Sequence, residues 1–505
     1  MIFMINNWFK KIATKDLIII SALLLLNLLP RLIYIFSNGF FIDGDEAILG
    51  TVIQDIFKNN HFSLFLSGQN YGFVFMEVLM GSIVSLFLGV NMLSLKITIF
   101  IFWLINLVIL YYIGKKVFLS RKFAFLAVLL ISFIPAWYDW ATKARFGYVS
   151  ALLFSDLVIL LTLLKKTKVR IIAISLSLLI IYYVQPLYLV VTVPFVVYYF
   201  FKDFKFKDAL LFAIGSLMLL VVSRFLLLSI GFNYQVQNKL GFSEIARNLK
   251  NIFQHYSVAY SGNFFDGVRL KDHYLSSLDS QIFIVILLLV IIYDFYLILK
   301  NKIEKINILF LVSVLLYIFF MLFYNGEDYQ YRYLLPFFVP SSFLIVIALE
   351  QLPKLKLKKY LYIFLTIYAI FSLICGIIFY KYVFPDLVDG YTEVERIELL
   401  GGFLNAHDIK CVYALDWIIS QHINYFIPNV IVRHQEIDPR RPQDSNLVDS
   451  YQQANGCALV GFQFQMPTFI SLYELNDIYV LSNRYVVHLN TSREDLLKLN
   501  FKLTN

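Results

Sequence analysis

Three carboxylates stand together just beyond the first long apolar run, in Asp43-Gly44-Asp45-Glu46-Ala47. The run itself, 16–36, is long enough to span a bilayer. Charges so close to hydrocarbon are costly, so an ionisable cluster there points to a functional site. The plainer alternative is a solvated cap that ends a helix. Further polar segments follow: Ser67-Gly68-Gln69-Asn70-Tyr71-Gly72 leading to Glu77, then Trp137–Tyr148 with Asp139, Lys143 and Arg145, then Glu327–Pro336 with Arg332. Together they offer carboxylates that could act as general bases, cations that could hold a phosphate and aromatic rings that could stack on a sugar. Interfacial tyrosines and tryptophans are also ordinary belt residues, so the aromatics alone decide nothing.

These segments have to be carried by membrane helices. Hydrophobic residues make up 60% of the 505-residue chain, charged residues 15%, and mean hydropathy is +0.72. A soluble domain carries roughly 25% charged residues. Repeated apolar runs bounded by lysines predict a polytopic helical membrane protein. The net charge of +9 is not a nucleic-acid signature, because the basic residues sit in short clusters between apolar runs. No cleavable signal peptide is expected; the segment after Lys10, Lys11 and Lys15 reads as a retained first span.

The basic clusters, at 10–15, 115–122, 165–170, 202–207, 300–305 and 354–359, belong on the cytoplasmic side. Each successive pair then encloses an even number of crossings. That predicts spans at 16–36, 97–114, 123–138, 148–164, 171–184, 187–201, 208–230, 281–299, 306–324, 333–351 and 360–380, about eleven in all. The remaining run, 73–90, would break the parity and reads as an interfacial helix. The N-terminus is then inside. Loops 37–72, 138–147, 231–280 and 325–332, with everything after 381, are outside, where the unusual polar residues fall. Lys143 and Arg145 on that face run against the usual charge bias, which suggests an anionic ligand.

Hydrophobicity drops after Tyr382. Helical spacing over 391–404 and 446–454 alternates with short β-like runs at Cys411–Leu415, Val430–Val432 and Ala458–Phe462, which predicts a small α/β domain over 382–505. The membrane domain is 1–381. Cys411 and Cys457 each open a predicted strand; they are either bonded, if the strands are adjacent, or two separate thiols. Cys375 reads as a packing residue, and His422 and His434 as ordinary surface or packing histidines.

In this order the segments resemble the bacterial members of glycosyltransferase family 39, within the GT-C superfamily, which includes protein O-mannosyltransferases and lipid A aminoarabinose transferases. The resemblance rests on Gly44-Asp45-Glu46-Ala47, on Gly68-Gln69-x-Tyr71-Gly72 with Glu77, on Lys143-Ala144-Arg145-x-Gly147-Tyr148, on Val184-Gln185-Pro186-Leu187 and on Arg332-Tyr333-Leu334-Leu335-Pro336. It covers roughly 1–350. It implies a GT-C fold in an all-α polytopic membrane domain with a C-terminal α/β domain, in the bacterial cytoplasmic membrane. The implied reaction moves a sugar from a polyprenyl-phosphate donor to a hydroxyl of a glycan, lipid or protein acceptor on the outer face, with inversion. Asp45 would be the general base and Glu46 would support the loop or the acceptor. Lys143, Arg145 and Arg332 would neutralise the leaving phosphate. Gln69, Tyr71, Glu77 and Asp139 would contact sugar or acceptor. No cofactor and no metal cluster are implied, although a divalent ion between Asp45 and Asp139 stays open.

Two other readings stand beside this one. A polysaccharide polymerase or ligase would use a large late outer loop, and 231–280 does contain Arg247, His255, Arg269 and His273. A lipid-linked glycan flippase would place charges inside several spans, and the spans here read as nearly charge-free. A non-catalytic scaffold would leave the polar segments without a purpose.

Overall fold

The computed structural model describes residues 14–36, 42, 44–59, 73–145, 147–165, 167–202, 206–229, 239–240, 245, 248–249, 260, 274–325, 331–383, 392–434, 457–473, 477–482 and 484–499. In chain order the helices are α1 (Thr14–Phe36), α2 (Gly44–Asn59), α3 (Phe75–Leu88), α4 (Met92–Val117), α5 (Arg121–Phe133), α6 (Pro135–Trp140), α7 (Tyr148–Leu163), α8 (Lys168–Val184), α9 (Leu187–Lys202), α10 (Phe206–Ser229), α11 (Tyr274–Leu299), α12 (Lys305–Phe323), α13 (Leu335–Gln351) and α14 (Leu355–Val383). The C-terminal elements are α15 (Glu393–Ala406), β1 (Cys411–Ala414), α16 (Trp417–Phe426), β2 (Ile431–His434), β3 (Cys457–Phe462), α17 (Met466–Ile470), β4 (Ile478–Leu481), β5 (Tyr485–Thr491) and α18 (Arg493–Lys498).

Five of the described helical stretches are long and apolar enough to cross a membrane: α4, α12, the Leu278–Leu299 part of α11, the Arg332–Gln351 stretch that ends in α13 and the Leu355–Ile377 part of α14. This is a polytopic membrane protein. Proline sets two breaks. α8 ends at Val184 and α9 begins at Leu187, on either side of Gln185-Pro186. The run 123–138, expected as one span, is two helices parted at Ile134, because Pro135 has no N–H to continue the ladder.

The chain folds into two compact units: 1–32, 99–142 and 147–383 form one, and 33–98, 143–146 and 384–505 the other. The division is therefore not a single cut at 381/382. Residues 33–98 and 143–146 belong to the same unit as the C-terminal residues 384–505.

In the first unit α7, α8 and α9 lie side by side, and α12 packs on α9 and α13. Ser313 donates to the Val191 carbonyl at 3.0 Å, and Phe310 stacks on Phe343 and meets Phe195 edge to face. Where Asp16 begins α1, its carboxylate accepts from Tyr111 at 2.9 Å, Lys115 at 2.6 Å and Arg121 at 2.7 Å. Arg31, fully buried in α1, donates to Asn27 and to the Ser132 carbonyl, with Trp103 and Tyr138 on its faces. Asp156 in the middle of α7 and Asp294 in α11 are buried as well. The expectation of nearly charge-free spans is thus corrected at Arg31 and Asp156, which are buried within predicted spans, while Asp16 and Asp294 lie at or near the ends of theirs.

In the second unit the C-terminal domain is a five-stranded mixed sheet of order β2-β1-β3-β5-β4. β1 runs parallel to β2 and β3, while β5 is antiparallel to β3 and to β4. Thr392 and Glu395 form a reciprocal cap that starts α15. Val412 faces Ala458 across the sheet, which sets Cys411 beside Cys457, and the two are joined as a disulfide with Cα atoms 5.0 Å apart. The β4–β5 hairpin was not read from the sequence; β5 pairs with both neighbours and is buried along most of its length. The predicted helix at 446–454 lies outside the described residues.

Candidate active site

The site is built in the second unit around the first turn of α2. Gly44 opens this helix because nothing larger fits: a Cβ there would lie 2.4 Å from the Trp417 ring. The next two residues are the adjacent carboxylates. Successive positions on a helix point about 100° apart, so Asp45 and Glu46 cannot share a face.

Glu46 turns inward. Its side chain is fully buried, and one oxygen accepts from the Lys96 ammonium at 2.8 Å and from the Ala144 backbone N–H at 2.6 Å. Lys96 is itself only 2% exposed along its side chain. The Ala144 bond clamps the short 143–145 segment to the start of α2. Arg145, one residue on, then meets Asp45 at 2.6 Å. Both partners of that outer pair keep 14–15% of their side-chain surface accessible, so this is the pair a ligand can reach. Lys143 is nearly buried at 4%. Glu77, in the first turn of α3, is fully buried.

α2 is held from behind by α16. Trp417 packs on Gly44 and Tyr425 on Gly50, Gln54 donates to the Tyr425 carbonyl at 3.2 Å, and His422 reaches the Ile42 carbonyl at 2.9 Å through Nε2. A carbonyl only accepts, so Nε2 carries a proton and donates, while Nδ1 lies 3.3 Å from the Tyr485 hydroxyl. Burial, with the Glu393 carboxylate adding to it, pushes the Tyr485 phenol well above its ordinary range and keeps it a donor.

In the first unit, Arg332 sits in the turn Tyr331–Leu334, its guanidinium over the rings of Tyr148 and Tyr333 at 5.8 and 5.7 Å. Its Nε is buried without a hydrogen-bond partner among the described residues. Gly147, at φ +87°, starts α7 with its α-carbon against the Val184 carbonyl, where a Cβ would come to 3.2 Å. Gln69, Tyr71 and the side chain of Asp139 lie outside the described residues. Among the described residues, no three His, Cys, Asp or Glu side chains converge.

The structure therefore brings Arg145 to Asp45 and the backbone of Ala144, between Lys143 and Arg145, to Glu46. Two residues were missed. Lys96 is one lysine in an apolar run with no spacing to mark it. His422 was read as an ordinary histidine, and its partner lies 380 residues away.

No family model matches the chain, and no curated protein matches it in sequence. The likeness is one of fold. The crystal structure of ArnT from Cupriavidus metallidurans in the apo state is similar over 94% of this chain and 98% of that one, with a TM-score of 0.61 and 11% identity. The structure of ArnT from the same organism bound to undecaprenyl phosphate is similar over 95% and 99%, with a TM-score of 0.58 and 11% identity.

Proposed function

We propose that this chain, which has the GT-C fold, is a membrane glycosyltransferase. It transfers a sugar from a polyprenyl-phosphate donor to an acceptor hydroxyl at the outer face of the bacterial cytoplasmic membrane. The observation that carries the reading is the accessible Asp45–Arg145 pair seated on the buried Glu46–Lys96 pair. A fold neighbour that binds undecaprenyl phosphate supports the donor class.

In this mechanism Asp45 takes the proton of the acceptor hydroxyl as its oxygen attacks the anomeric carbon. The bond from that carbon to the phosphate oxygen breaks on the opposite side, and the configuration inverts. Negative charge gathers on the departing phosphate. Arg145 and Lys143 are the proposed cations that stabilise it. Arg145 has five N–H donors, so it can pair with Asp45 and still offer others to a phosphate. Arg332 is a further proposed phosphate ligand on the evidence of its own unit, with its unsatisfied Nε. Glu46 acts by fixing the 143–145 segment. Gln69, Tyr71, Glu77 and Asp139 remain proposed sugar or acceptor contacts.

The lysine clusters support an N-terminus inside and a C-terminal domain outside, and the Cys411–Cys457 bond fits an oxidising outer compartment. The reading is tested by incubating the purified protein with a labelled synthetic polyprenyl-phosphate sugar and membrane-extracted acceptors. Label should leave the donor and appear in an acceptor. A protein that binds the donor without ever cleaving it, under any acceptor, would refute the transferase reading.

A further inference from the structure

A second polar cavity lies in the first unit, where α4, α7 and α9 end and α12 begins. Its volume is about 640 Å³. Lys116 comes to it from the end of α4, Lys165 from the link after α7, and Lys305 from the first residue of α12; Tyr198, Tyr199 and Thr162 complete the polar lining. Like charges gathered around one cavity repel, so the arrangement calls for an anion. Among the described residues no carboxylate lies within ion-pair distance of any of these lysines. Glu304 is the one acidic side chain in the lining, so three lysines against one glutamate leave a formal surplus of two positive charges.

The backbone adds to that charge. The N-terminus of α12, at Lys305 and Ile306, forms part of the wall. The positive end of its dipole favours an anion. The end of α7 contributes the opposite dipole, and Lys165 stands against it. The phenols of Tyr198 and Tyr199 bring hydroxyl groups to the same space.

Depth and size narrow the ligand. Three apolar helices stop here and a fourth starts, so the cavity opens at the level of lipid headgroups. Small-molecule sites run from roughly 300 to 1,000 Å³, far more than a bare phosphate ion fills. We propose that this cavity binds the phosphodiester headgroup of an anionic phospholipid, with the lysines on the phosphate and the acyl chains lying along the neighbouring helices. Basic pockets between helix ends are a general means of holding such headgroups. The site is separate from Asp45, and its test needs neither donor nor acceptor.

The test uses the full chain in phosphatidylcholine nanodiscs. Phosphatidylglycerol or cardiolipin is added, and lipid retained on the protein is measured by native mass spectrometry and thermal shift. The unmodified protein should retain anionic lipid over phosphatidylcholine. The triple variant K116Q/K165Q/K305Q should lose that preference by at least about tenfold, because each lysine near the surface attracts the anionic headgroup. K165Q alone serves if the triple variant fails to fold, and should show a smaller loss in the same direction. Unchanged anionic-lipid retention in these variants would overturn the proposal. Displacement of the lipid by inorganic phosphate at similar concentration would overturn the lipid assignment and give the cavity to a free phosphate.

Discussion

His422 of the C-terminal domain donates a hydrogen bond, at 2.9 Å, to the carbonyl of Ile42, three residues ahead of Asp45. The carbonyl is buried with it. The C-terminal domain thus grips the chain at the entry to the helix that bears the proposed base. His422→Ala leaves that carbonyl without its donor, which typically costs about 1–3 kcal/mol. The expected outcome is turnover lowered by about tenfold with donor affinity little changed, and recovery in His422→Gln, whose amide keeps an N–H in reach. Full turnover in the alanine variant would remove any positioning role.

Glu46 and Lys96 are expected to matter for stability first. Removing one partner of a buried ion pair leaves an uncompensated charge, at about 3–5 kcal/mol. Glu46→Gln should therefore lower the melting temperature markedly. Glu46→Gln with Lys96→Met should recover most of it, since the orphaned ammonium is gone. A stable Glu46→Gln protein with no activity would instead make Glu46 a catalytic group.

The Cys411–Cys457 bond ties β1 to β3 over a sequence separation of 46 residues. In the chain-entropy account a loop of that length stabilises by about 4 kcal/mol. Cys411→Ser with Cys457→Ser should melt earlier than the unmodified protein, and reductant should lower the melting temperature of the latter only. Equal melting of the two proteins without reductant would show that the bond adds nothing.

Arg332 is either an arginine that anchors its helix at the interface or a phosphate ligand. Anchoring needs only charge, so lysine should serve. A phosphate ligand needs the bidentate fork, which lysine lacks. Arg332→Lys should lose at least about tenfold in turnover, roughly 1.4 kcal/mol, with an unchanged melting temperature. Equal activity would assign it to anchoring and leave Lys143 and Arg145 as the phosphate cations.

Much of this architecture was legible in the sequence because membranes impose long apolar runs and lysines punctuate them. The predicted span 171–184 is the helix 168–184, and 187–201 is 187–202. The run 73–90 is the 14-residue helix α3, about 21 Å long and short of a roughly 30 Å hydrocarbon core. The site was legible where its members are neighbours in sequence: Asp45 beside Glu46, Lys143 beside Arg145. It was not legible where partners are distant. Nothing local marks Lys96 as the counter-charge of Glu46, or His422 as the partner of Ile42. For the same reason the grouping of 33–98 with the C-terminal domain could not be read from composition, which changes only near 382.

The proposed mechanism stands on Asp45 as the base. Asp45→Asn keeps the shape and removes the basicity, and Asp45 is partly accessible, not buried in the fold. The measurement is single-turnover transfer of labelled sugar from the polyprenyl-phosphate donor, with donor binding measured in parallel. The account predicts a fall in transfer of about two to four orders of magnitude with donor binding and melting temperature preserved. Near-normal transfer by Asp45→Asn would contradict it.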